Sequence, residues 1–60
     1  MTAETLREIK TALSHVIECC VEGGRRPTPK MVAVFTVDEL KNAGIIVTEA
    51  TVRKIMRGGN

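Results

Sequence analysis

The hydrophobic pattern divides the chain into segments that repeat with helical spacing. In TAETLREIKTALSHVIECCVEGG the apolar residues Leu6, Ile9, Leu13, Val16 and Cys20 follow one another at intervals of three and four. Such spacing draws a stripe along one face of a helix, and Ala12 and Ile17 widen it. The segment therefore predicts a helix from about Thr2 to Glu22, with Thr2 as its cap, Glu4 in the first turn where the helix dipole favours an anion, and Gly23 and Gly24 ending it.

Thr28 followed by Pro29 reads as a second cap and first helical residue, so a short helix over Pro29 to about Phe35 is expected. The continuous apolar run Met31–Phe35 also suits a strand, but a lone strand has no partner beyond Ile45–Val47 or a second chain, and helix is favoured. TVDELKNAG then carries its own start and stop. Thr36 and Glu39 have capping-box spacing, Val37, Leu40 and Ala43 point inward, and Gly44 supplies a left-handed end. After the apolar plug Ile45–Val47, Thr48 caps a last helix, EATVRKIMR. Its inward side is Val52, Ile55 and Met56, and its outward side is Glu49, Ala50, Arg53, Lys54 and Arg57. The chain reads as one all-α domain over residues 1–60, with no repeat and no linker long enough to separate a second domain.

Size changes the picture. A chain of 60 residues buries only about 60% of its unfolded surface, so a second copy is the natural source of extra stability. Residues 1–24 are accordingly expected to serve both the core and a homodimer, through Leu6, Ile9, Leu13, Val16, Ile17 and Cys20. Adjacent Cys19 and Cys20 match neither a disulfide nor a spaced zinc signature, and free thiols fit a cytoplasmic protein. No stretch has the ~18 apolar residues of a membrane span, and the N-terminus lacks a signal-sequence pattern.

The net charge of +2 hides an asymmetry. Residues 1–24 set Arg7 and Lys10 against Glu4, Glu8, Glu18 and Glu22, a balance of −2. Residues 25–60 set Arg25, Arg26, Lys30, Lys41, Arg53, Lys54 and Arg57 against Asp38, Glu39 and Glu49, a balance of +4. A basic half points to a polyanion; one Phe and no Trp or Tyr argue against stacking on unpaired bases and leave duplex DNA open.

A short helix, a glycine turn and a second short helix have the form of a helix-turn-helix, expected over residues 36–57. The run TVDELKNAGIIVTEATVRKIMR resembles the helix-turn-helix of bacterial winged-helix and related regulators, without a wing. It is most similar to the arginine repressor family, through Glu39, Leu40, Gly44, Ile45, Val47, Thr48, Ala50, Thr51 and Val52. EGGRRPTPKMV is also similar to a Gly-Arg-x-Pro-Thr junction of repressor and plasmid DNA-binding domains. The resemblance implies that Glu49, Ala50 and Arg53 read base edges, that Thr51, Lys54 and Arg57 hold phosphates, and that Arg25, Arg26 and Lys30 form a second clamp on the backbone. It implies a dimeric transcriptional or plasmid or phage maintenance regulator.

The alternative is a small homodimeric helical interaction module or adaptor working through the seam of the first helix. His15 and Cys19, four apart, are too few to define a metal site, and no cofactor is expected. No pattern of a histidine with an orienting carboxylate and a nucleophile is visible, nor a phosphate-cradling loop, so neither catalysis nor a small-molecule substrate is expected.

Overall fold

The computed structural model describes residues 1–58 and holds three helices, α1 (Ala3–Glu22), α2 (Pro29–Asn42) and α3 (Glu49–Met56). The all-helical class is as expected, and there is no strand among the described residues. Each helix opens on a threonine whose hydroxyl accepts from a backbone N–H three residues on: Thr2 from Thr5, Thr28 from Met31, and Thr48 from Thr51, at 3.1 to 3.2 Å. Those three caps hold three of the N–H groups that a helix start leaves without an internal partner.

The sequence pattern predicts two helices over residues 29–44, and one is found. Nothing in PKMVAVFTVDELKN breaks a helix after Pro29, and the capping box at Thr36 does not form. Thr36 is completely buried in the middle of α2, where its methyl and backbone serve the core. Its Oγ1 has no hydrogen-bond partner among the described residues. Glu39, the other half of the expected box, turns to α1 instead.

α2 is the central element, with α1 and α3 both packed against it. The core joins Ile9, Ala12, Leu13, Val16 and Cys20 of α1 to Val32, Ala33 and Leu40 of α2 and Val52 and Ile55 of α3. Leu6, Met31, Val37, Ile45, Val47 and Met56 close its edges. The α1 seam takes the core part of the use expected of it. Ile9, Leu13, Val16 and Cys20 are buried within the single chain, Leu6 packs half-buried against the same core, and Ile17 alone of the six is exposed.

The two links are copies of one another, an internal repeat that the hydrophobic pattern does not reveal. At the end of α1, Gly24 has φ +76°, its N–H donates to the Val21 carbonyl, and the Arg25 N–H donates to the Cys20 carbonyl at 2.9 Å. At the end of α2, Gly44 has φ +85°, its N–H donates to the Lys41 carbonyl, and the Ile45 N–H donates to the Leu40 carbonyl at 2.8 Å. Both are Schellman turns, which the left-handed glycine makes possible. Each is followed four residues later by the threonine cap and eight residues later by a buried valine, Val32 or Val52. Cys20, Gly24, Thr28 and Val32 thus recur as Leu40, Gly44, Thr48 and Val52.

Candidate nucleic-acid interface

The orientation of α3 follows from its inward residues. Val52 is completely buried and Ile55 nearly so, with Met56 half-buried beside them. At 100° per residue this turns Glu49, Ala50, Arg53, Lys54 and Arg57 to the outside, and all five are exposed. Glu49, Ala50, Arg53 and Arg57 line one shallow depression along the helix. Arg53 and Arg57 also meet Pro29 and Met56 in an adjoining one, so the start of α2 lies alongside the last turn of α3.

None of the three cations of α3 is engaged in an ion pair among the described residues, where the one carboxylate pair is that of Glu39 with His15. Thr51 is half-buried, and its hydroxyl lies 3.0 Å from the Thr48 hydroxyl, so it takes part in the cap as well as facing the helix start. Thr48, Glu49 and Ala50 form the positive end of the helix dipole, where the Glu49 carboxylate is favourably placed.

The expected second clamp divides. Arg26, in the link, and Lys30, in the first turn of α2, are both exposed, on either side of the Pro29 that meets Arg53 and Arg57. Arg25 instead lines a groove of about 500 Å³ between the C-terminal halves of α1 and α2, together with Cys19, Phe35, Asp38, Glu39 and Asn42. That groove holds no residue of α3. No family model, curated protein or solved structure matches this chain. The placement of side chains is therefore what carries the reading.

Two features go beyond what the sequence predicts. Ile45 and Val47 pack against the core as the expected plug, but Ile46 between them is 78% exposed, two residues ahead of the α3 cap. The unbroken apolar run Ile45–Val47 carries no signal that singles out Ile46. The second feature is a cluster that the sequence pattern does not show, with His15 between a carboxylate and a thiol. His15 Nδ1 lies 2.6 Å from Glu39 Oε1, and His15 Nε2 lies 3.5 Å from Cys19 Sγ. The Cys19–His15 half of this cluster is visible in the i, i+4 spacing, whereas Glu39 stands 24 residues away and is brought in by the packing of α2 on α1.

No described helix is long and apolar enough to cross a membrane.

Proposed function

We propose that this chain binds duplex DNA, with α2, the Gly44 link and α3 acting as a helix-turn-helix and α3 as the element that enters the major groove. The observation that carries the reading is the outer face of α3. Arg53, Lys54 and Arg57 are exposed and without a carboxylate partner among the described residues, on a helix whose rotation is fixed by buried Val52 and Ile55.

In this reading Glu49, Ala50 and Arg53 face base edges, where a carboxylate accepts from cytosine, a methyl meets the thymine methyl and a guanidinium forks onto guanine. Lys54 and Arg57 hold phosphates, and the exposed Arg26 and Lys30, which flank the Pro29 that meets Arg53 and Arg57, are assigned further phosphate contacts. Ile46, held outside just before the α3 cap, adds an apolar contact to sugar or to a thymine methyl. Arg25 stands with α2's acidic residues and does not contribute.

One α3 reads too few base pairs for selectivity, and two copies set about one helical turn apart on a palindromic site supply the rest. With the α1 seam occupied by the core, such a pair meets through what α1 leaves outside, Ile17 and Val21, which are 41% and 60% exposed and four residues apart. The same two residues are what remains of the rival reading, a helical adaptor with no nucleic-acid partner. Selection of bound duplexes from a random pool, followed by salt titration of the winner, tests the proposal. A symmetric consensus whose affinity falls steeply with salt supports it. Absence of any retained duplex at low salt refutes it and favours the adaptor.

A further inference from the structure

The cluster of Cys19, His15 and Glu39 lies outside the α3 surface and is not used by DNA binding. A carboxylate oxygen only accepts, so the 2.6 Å contact places a proton on His15 Nδ1. In the neutral ring this leaves Nε2 bare and facing the Cys19 thiol 3.5 Å away. The partners occupy opposite nitrogens of the ring and do not converge on one point, and no group of three metal-ligating side chains is found among the described residues. Cys19 is exposed, and it borders the groove that also holds the Arg25 guanidinium, whereas neighbouring Cys20 is buried. Acyl transfer does not fit. The N–H groups of Gly23, Gly24 and Arg25 in the adjacent link already donate to the carbonyls of Cys19, Val21 and Cys20, so the link offers no pair of donors to an oxyanion.

We propose that Cys19 is an oxidative modification site, a thiol that His15 and Glu39 prepare for attack on a small hydroperoxide. His15 Nε2 takes the thiol proton and the Glu39 carboxylate supports the resulting imidazolium. The Cys19 sulfur attacks one peroxide oxygen, an S–O bond forms and the O–O bond breaks. With hydrogen peroxide, the departing hydroxide takes the proton from His15 and leaves as water. Sulfur is oxidised by two electrons, the peroxide is reduced by two, and Cys19 becomes a sulfenic acid. Arg25 on the groove wall favours the hydroxide as it departs. The charged groups around the pair are Glu8, Glu18 and Glu22 of α1, Asp38 and Glu39 of α2, and Arg25 of the link.

The test treats the folded protein with hydrogen peroxide in the presence of dimedone and follows adduct formation by peptide mass spectrometry, with glutathione as the free-thiol reference. The expected adduct is on Cys19 and not on Cys20. A free thiol is only a few per cent thiolate at pH 7, which leaves about tenfold to gain, and the Cys19 rate should exceed that of glutathione by roughly this factor. His15→Ala should return the rate to that of glutathione, with Glu39→Gln in between. His15 is largely exposed on a helix, so its removal leaves the core intact, and circular dichroism verifies this. A Cys19 rate no higher than glutathione, an unchanged rate in His15→Ala, or an adduct on Cys20 overturns the proposal. The comparison with glutathione needs no variant.

Discussion

Replacing Thr36 by valine should make this protein more stable. The Thr36 side chain is completely buried in α2, and its hydroxyl has no partner among the described residues. A buried polar group left unpaired costs about 1 to 3 kcal/mol, and an apolar group of the same shape removes that cost. Threonine and valine are both branched at Cβ and have similar helix propensities, so the local helix gives little back in either direction. The new methyl occupies the space of the hydroxyl and contributes the burial of one more apolar group. A net gain of about 1 to 2 kcal/mol follows, the lower end of the range allowing for imperfect fit. In a domain of this size each kcal/mol moves the melting temperature by roughly 4 to 8 °C. Thermal unfolding followed by circular dichroism, together with urea titration, measures the effect, and an unchanged urea m-value would confine it to stability. Thr36→Ser, which keeps the hydroxyl and deletes the methyl, should move the other way. A melting temperature for Thr36→Val equal to or below that of the parent protein refutes the reasoning, because the hydroxyl is then hydrogen-bonded after all.

Thr48→Ala removes the α3 cap and should cost about 1 kcal/mol in urea titration; if α3 is the reading element proposed above, DNA affinity should fall further than stability as its first turn frays. Gly44→Ala should cost about 1 kcal/mol or more through its left-handed backbone, although a Cβ there meets no neighbour within 4 Å, so the loss measures backbone strain free of any clash. Arg53→Ala should cost ~1 to 3 kcal/mol of binding to a selected duplex and relax the preference at one base pair, whereas Arg57→Ala should weaken all duplexes alike and lower the salt slope by about 1. Glu39→Gln should change stability by less than about 1 kcal/mol in thermal melts, because its pair with His15 is solvent-accessible.

The features of this fold that are legible in the sequence are those decided within one helical turn. Thr2, Thr28 and Thr48 cap as their spacing predicts, Gly24 and Gly44 take the left-handed turns, and the inward and outward sides of α3 follow from Val52 and Ile55. What local spacing misjudges is decided by neighbours distant in the chain. Thr36 and Glu39 satisfy the spacing of a capping box, but Thr36 is enclosed by the core, and Glu39 finds His15 of α1 within reach. The α1 stripe is plain in the apolar spacing, yet its width gives no indication of which surface covers it. Three helices suffice to enclose Ile9, Leu13, Val16 and Cys20 within one chain. The matching links escape notice because Arg25 and Ile45, or Pro29 and Glu49, share no chemistry. The repeated positions are the glycine and threonine that set the backbone and the buried apolar residue on either side of them.

The position of α2 also governs how fast the chain can reach this structure. Because the helix that is central in space is also central in sequence, α1 and α3 each pack chiefly on the element next to them, and every loop that must close is short. A topology of that kind has a low contact order, for which assembly takes roughly microseconds to milliseconds. The chain therefore spends little time with its apolar stripes open to other molecules.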